Sequence, residues 1–131
     1  MVVERSSKRF VLVVDDEALV ELYIQAVLDQ HGYSSASFTD PVKALAFFRH
    51  RHDEVDMVIT DIKMPTIDGI ELARQMMAID PDIPIVFVSA EMDKLNEARL
   101  LGSTRGCFMK PFLGSNLVRC VEDLIGQAAA S

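Results

Sequence analysis

Five polar side chains stand at the ends of apolar runs. Asp15 and Asp16 close the run Phe10–Val14, Asp61 closes Val55–Thr60, and Ser89 closes Ile85–Val88. Lys110 closes Gly106–Met109 and is followed at once by Pro111. If those runs are neighbouring parallel strands, all five side chains meet outside the carboxyl edge of the sheet, where open α/β sheets bind ligands. Such a pocket holds three carboxylates, one hydroxyl and one ammonium. Carboxylates a few ångströms apart repel, and partial burial sharpens the repulsion. One ammonium does not neutralise three acids, so either a carboxylate keeps its proton or a divalent cation binds. Magnesium is the natural choice, because it takes hard oxygen ligands and keeps several waters. A carboxylate beside magnesium, a lysine and a hydroxyl is also equipped for phosphoryl transfer. The metal and the lysine stabilise charge on the equatorial oxygens while the carboxylate attacks in line, and an aspartyl phosphate results.

The elements that must position these groups are written in the periodicity. Residues 10–14 form a continuous valine-rich run, the pattern of a strand buried on both faces. Leu19, Leu22, Tyr23, Ala26 and Val27 recur at helical spacing, as the apolar face of a helix ending before Gly32. Tyr33 to Phe38 reads as a weaker, serine-rich strand. Asp40-Pro41 supplies an N-cap and a proline for the first helical turn, and that helix is expected to bury Ala44, Leu45, Phe47 and Phe48. Val55 to Thr60 is the third strand. Asp68-Gly69 opens a helix carrying Ile70, Leu72, Ala73, Met76 and Met77, stopped by Pro81. Ile85 to Val88 is the fourth strand, followed by a helix from about Met92 to Leu101. Gly106 to Met109 is a short fifth strand. The last helix is expected to bury Leu117, Val118, Val121, Leu124 and Ile125. Strict β/α alternation predicts a parallel sheet covered on both faces, with right-handed crossovers.

Composition narrows the function classes. The chain has 131 residues, enough for one domain, with half of them hydrophobic and a quarter charged. Those values exclude a disordered tail, a collagen-like repeat and a disulfide scaffold. No uncharged apolar run approaches the ~18–20 residues that span a bilayer. The polar segment Met1–Arg9 does not read as a signal peptide, so the cytoplasm is the expected address. Cys107 and Cys120 lack a metal-ligand spacing and are expected as free thiols. The net charge of −7 disfavours phosphate backbones, so direct nucleic-acid binding is not expected. The expected organisation is a disordered lead at 1–8, one domain at 9–126, and a tail or linker start at 127–131.

Taken together, Asp15-Asp16, Asp61-x-Lys63-Met64-Pro65-x-x-Asp68-Gly69, Ser89-Ala90 and Lys110-Pro111-Phe112 resemble the receiver domain of bacterial two-component response regulators. The likeness runs from about Phe10 to Ile125. It implies a flavodoxin-like (βα)5 fold, five parallel strands in the order 2-1-3-4-5 with helices on both faces. It also implies that Asp61 accepts a phosphoryl group from a sensor histidine kinase or a phosphotransfer protein. Asp16, Asp61 and the backbone carbonyl of Lys63 would ligate Mg2+, with Asp15 reaching it through water. Ser89 would hydrogen-bond a phosphoryl oxygen and move on phosphorylation, and Lys110 would ion-pair with the group. The Lys110–Pro111 bond is expected to be cis. Output would use the surface of the fourth helix, fifth strand and fifth helix, towards a downstream effector or a fused output domain. Many receivers pair through that face, which leaves a homodimer open. No membrane contact is implied.

One position departs from the family pattern. Three residues before the lysine, where the family carries a switching Tyr or Phe, stands Cys107. Phe108 does not substitute, because adjacent strand residues point to opposite faces. Lys63 and Glu91 flank the pocket mouth, and an ion pair between them would hinder an attacking water and slow hydrolysis of the phosphate.

Blander readings exist for each residue. Asp15 and Asp16 would favour a helix N-terminus by charge alone, Ser89 would cap a turn, and Lys110 would be a solvated lysine. Asp68-Gly69 is best read as an N-cap and turn. His31, His50 and His52 read as surface residues near helix ends, and the methionines as core filler. Two other functions compete with the switch. A haloacid-dehalogenase-type phosphohydrolase would need a second aspartate where Lys63 stands. A phosphorylation-independent interaction module would be expected to lack pocket residues, yet all five are present. A nucleotide site would need a glycine-rich loop after the first strand.

Overall fold

The computed structural model describes residues 9–126; the lead at 1–8 and the tail at 127–131 lie outside the described residues. Five strands alternate with five helices: β1 (Phe10–Val14), α1 (Ala18–Gln30), β2 (Ser34–Phe38), α2 (Pro41–Arg51), β3 (Met57–Asp61), α3 (Gly69–Ile79), β4 (Ile85–Ser89), α4 (Met92–Ala98), β5 (Thr104–Met109) and α5 (Gly114–Ile125). A 3-10 turn (His52–Glu54) separates α2 from β3. All strand pairs are parallel, in the order β2-β1-β3-β4-β5.

Strand alternation sorts the core into two layers. Leu12, Val14, Val58, Ile85 and Phe87 face α2, α3 and α4, where Phe48, Ile70, Leu72, Met76 and Leu95 pack on them. Val11, Val13, Met57, Ile59, Val86 and Val88 face α1 and α5, meeting Ile24, Leu28, Leu117 and Val121. Strands apolar on both faces are what a sheet covered on both sides requires. At the edge, Phe10 stacks on Phe47 and Phe38 meets the same ring at a tilt, and Phe47 is partly rather than fully buried.

Several elements differ from the sequence expectation. On α1 the core face is Ile24 and Leu28, with Val20 packed beside them, whereas Leu19, Leu22 and Tyr23 are exposed. Two stripes of helical spacing overlap on this helix, and one residue of offset turns a face by about 100°. The sheet takes the stripe of branched side chains that fits Val11 and Val13. Tyr23 lies at the rim, where its ring meets Phe112 and its hydroxyl accepts the Gly114 N–H at 2.8 Å. β5 begins at Thr104, two residues earlier than expected, because a bulge opposite Ile85/Val86 absorbs Arg105. α4 is shorter than expected, and Arg99–Leu101 continue it only as tighter turns, with Leu100 N–H on Glu97 O and Leu101 N–H on Ala98 O. Met92 and Met109 are exposed, so they are not core filler. Leu124 and Ile125 are only partly buried at the end of α5. The Lys110–Pro111 peptide is cis, as expected.

The two stripes of α1 differ in what they contribute. Ile24→Ala or Leu28→Ala should lower stability by about 2–5 kcal/mol through cavity formation. Leu19→Ala should stay within about 0.5 kcal/mol of the parent. Urea unfolding followed by circular dichroism separates the two.

Candidate functional site

The carboxyl ends of β1, β3, β4 and β5 converge on one cleft of about 290 Å³. The strand register continues past each strand end to fix the polar residues. Asp15 N–H donates to Phe38 O at 3.0 Å, and Lys110 N–H donates to Ser89 O at 2.8 Å. Asp61 and Ser89 are themselves the last residues of β3 and β4. All the residues expected to form the pocket are therefore brought to one place: Asp16, Asp61, Lys63, Ser89, Glu91 and Lys110 line it, and Asp15 lies buried behind them.

Asp61 is almost fully buried. Its Oδ1 accepts the Ile62 N–H at 2.8 Å and its Oδ2 accepts from Lys110 Nζ at 3.0 Å. Asp15 Oδ1 accepts the Glu17 N–H at 2.9 Å. Asp15 Oδ2 lies 3.1 Å from Lys110 Nζ, yet no aligned hydrogen bond reaches this buried oxygen. Ser89 Oγ accepts the Glu91 N–H at 3.0 Å. At the outer mouth Lys63 Nζ and Glu91 Oε2 are 3.5 Å apart, as an exposed pair.

Crowding perturbs Asp61, Asp15 and Lys110. Burial raises the Asp61 carboxyl, the Asp15 charge raises it further, and Lys110 pulls it back, leaving it at about 6. Asp15 is also raised, first by burial, with the Glu17 N–H and Lys110 opposing. Burial works against the Lys110 charge, but Glu17, Asp61 and Asp15 outweigh it and hold the ammonium well above the ordinary lysine range. Two neighbouring acids raised chiefly by burial are the situation that a cation resolves. The donor set suits Mg2+: Asp15, Asp16 and Asp61 each offer one hard oxygen, all within 4.8 Å of one another, and one of those acids has a buried oxygen without a hydrogen bond.

Two contributions were not read from sequence: the packing role of Gly69, taken there as part of an N-cap and turn, and the part played by Glu17. Gly69 is more than a helix start. A Cβ there would stand 2.0 Å from Asp61 O and 2.8 Å from Ile62 Cα. The first turn of α3 thus presses on the backbone that carries Asp61, and Gly69 N–H donates to Ile62 O at 2.7 Å. Asp68 does cap α3, accepting the Glu71 N–H at 2.8 Å, as expected. Glu17 is the second: its Oε1 reaches Lys110 Nζ at 2.5 Å. A Gly beside a capping Asp signals the first in hindsight; nothing in the sequence pairs Glu17 with a residue 93 positions away. Cys107 packs towards α4, with its Sγ 3.9 Å from Leu95 O, while Phe108 faces the α1–α5 side. His31 and His50 are exposed, and His52 is half-buried against Phe48.

Comparison with known proteins gives one consistent answer. The model of the response regulator receiver domain family matches residues 11–122. The response regulator receiver protein CpdR of Brucella abortus is 32% identical over 126 residues, covering 90% of this chain and 97% of that protein. Sporulation initiation phosphotransferase F of Bacillus subtilis is 31% identical over 104 residues, covering 78% of this chain and 82% of that protein. Other relatives are far longer: this chain spans 24% of a C4-dicarboxylate transport transcriptional regulatory protein of Rhizobium meliloti and 13% of a sensor kinase of Brucella abortus. Among solved structures, the response regulator TrrA of Thermotoga maritima in complex with Mg(2+)-BeF superposes with a TM-score of 0.79 at 27% identity, covering 88% of this chain and 98% of that one. Among the described residues, no helix is long and apolar enough to cross a membrane.

The raised Asp61 carboxyl fixes the sign of a pH effect. The folded state binds this proton more tightly than the unfolded chain does. The stabilisation it brings is therefore complete below the ordinary aspartate range and is lost as pH rises through about 6. Asp61→Asn should be more stable than the parent by about 1–3 kcal/mol at pH 8 in EDTA. That gap should shrink towards pH 4, and Mg2+ at pH 8 should raise the parent's melting temperature more than the variant's. Thermal melts across pH, with and without Mg2+, check this.

Proposed function

The chain belongs to the response regulator receiver domain family, whose members are phosphorylation-dependent signalling switches, and on that premise we propose that Asp61 is its phosphoacceptor. The observation that carries the proposal is the position of Asp61 Oδ2. It faces the cleft, 3.0 Å from Lys110 Nζ, with Asp16, Ser89 and Lys63 around the same opening. The other carboxylate oxygen is held by Ile62 N–H, so the attacking oxygen is oriented by a fixed partner on its own carboxyl group. With a phosphohistidine donor, Asp61 Oδ2 forms a bond to phosphorus while the P–N bond breaks. The imidazole leaves with the electron pair and takes a proton.

Asp16, Asp61 and the Lys63 carbonyl would hold Mg2+, with Asp15 behind them acting through water. When bound, the ion neutralises acid charge and stabilises the phosphoryl oxygens. Lys110 lies beside the reacting oxygen and is held charged by its surroundings, so it stabilises developing charge without a proton of its own being transferred. Ser89 spends its hydroxyl oxygen on the Glu91 N–H, which leaves the hydroxyl proton available for a phosphoryl oxygen. Turning Ser89 towards the phosphoryl group would give up the Glu91 contact. The loop carrying Glu91 leads straight into α4, so one arrangement of that loop is favoured over the other. Cys107 packs against α4 where the family carries an aromatic switch residue, so the movement is read there by a small thiol rather than a ring.

Receiver domains are phosphoacceptors, not turnover enzymes. The hydrolase alternative is disfavoured because Lys63, engaged with Glu91, stands where that chemistry needs a second acid. A histidine kinase or phosphotransfer protein would donate. The α4-β5-α5 face, with Met92, Leu100 and Met109 exposed, would meet an effector, a fused output domain or a second copy. A cytoplasmic address and one receiver unit over residues 9–126 belong to the same proposal.

Incubation with phosphoramidate and Mg2+ should add one phosphoryl group by mass spectrometry, and Asp61→Asn or EDTA should abolish it. Steady phosphate release from a free phosphomonoester would favour the hydrolase instead. Lys63→Ala should shorten the phosphate lifetime about two- to fivefold, the kinetic equivalent of losing an exposed ion pair. Decay of the phosphorylated mass with time measures it, and an unchanged lifetime removes Lys63 from the mechanism.

A further inference from the structure

Three carboxylates compete for one ammonium. Lys110 Nζ has three protons to donate, and it is reached by Glu17 Oε1 at 2.5 Å, Asp61 Oδ2 at 3.0 Å and Asp15 Oδ2 at 3.1 Å. The acids differ in what holds them. Asp15 and Asp61 are buried, and each has its other oxygen fixed by a backbone N–H. The Glu17 side chain is 60% exposed. It stands at the position that begins α1, where an acid ordinarily favours the free N–H groups and the positive end of the helix. Glu17 makes no capping hydrogen bond there, and its carboxylate instead crosses to the end of β5.

We propose that Glu17 is a positioning residue, a releasable latch that occupies Lys110 while Asp61 is unmodified and must let go before Lys110 can serve a phosphoryl oxygen. The proposal rests on Asp61 being the phosphoacceptor. Once Asp61 Oδ2 is bonded to phosphorus it loses its charge, and its hold on the ammonium weakens. The phosphoryl oxygens arrive with charge of their own on the same side. Of the three acids, Glu17 alone faces solvent. It can withdraw into water, whereas releasing Asp15 would strand a buried charge. Lys110 is thus shared between a resting partner that is easily rehydrated and a reacting partner that brings more charge. The exchange between them sets part of the barrier to phosphorylation.

Two substitutions separate a latch from simple repulsion of an anionic donor. Glu17→Gln removes the charge and keeps the length. Glu17→Asp keeps the charge and shortens the reach by one methylene. In both variants the phosphorylation rate with phosphoramidate and Mg2+, read by mass spectrometry, should rise about two- to fivefold, the size expected for losing an exposed ion pair. In both, the Lys110 ammonium 15N–1H signal recorded without any donor should weaken through faster exchange with water. If Glu17→Asp matches the parent while Glu17→Gln is faster, the effect is donor repulsion and the latch is wrong. Unchanged or slower rates in both variants overturn it equally. If the parent takes no phosphoryl group, the phosphoacceptor reading fails on its own. The ammonium signal then still reports on the Glu17 contact, and an unchanged signal in both variants rejects the latch.

Discussion

Like charges confined at the edge of a dry sheet are the constraint on which this molecule depends. Asp15 and Asp61 sit where water barely reaches, Asp16 stands beside them, and one ammonium serves the group. A fold selected for stability alone would not gather them there. The burial of β1, β3 and β4 on both faces supplies the cohesion that makes the arrangement tolerable. Every residue of β3 and β4 is buried, including the acid and the hydroxyl that end them. Strain of this electrostatic kind is what lets a cation or a phosphoryl group change the energy of the whole cleft on arrival.

Rigid elements bring the acids together and a loop completes the set. Asp61 is fixed from below by strand pairing with β4 and from the side by the first turn of α3, where the missing side chain of Gly69 admits the backbone at contact distance. Lys110 comes from the loop after β5, pinned by its N–H on Ser89 O and by the cis proline that follows. Lys63 and Glu91 meet across the opening through exposed side chains, although the Glu91 N–H is itself held by Ser89 Oγ. Burial is thus greatest at the acids and least at the outer mouth.

Much of this is legible in the sequence alone. Valine-rich runs with a polar residue at each carboxyl end specify both the sheet and its cleft, and Asp15, Asp16, Asp61, Ser89 and Lys110 all meet there. What escaped is what depends on a third dimension. The α1 sequence carries two overlapping apolar stripes, and only the shape of Val11 and Val13 chooses between them. The bulge at Arg105 leaves no mark in hydropathy, so β5 reads two residues short. Gly69 resembles any glycine after a cap until its distance to Asp61 O is known. Glu17 looks like an ordinary acid at a helix start, since its partner lies at the far end of the chain. Exposed Met92 and Met109 show the same limit from the other side: residue type does not say which face of an element is covered.

The hydrogen bond from Lys110 N–H to Ser89 O joins the backbone under the hydroxyl to the backbone under the amine. Each side chain still turns on its own, with the Ser89 hydroxyl on the Glu91 N–H and the Lys110 ammonium on the acids. The acids come from β1 and β3, and β3 pairs in turn with β4, so the sheet beneath the cleft is continuous. The ion pairs of Lys110 tie the end of β5 to the acids of β1 and β3 across the intervening strand β4. A change in those ion pairs therefore falls on the loops that lead into α4 and α5 and not on the paired strands under them.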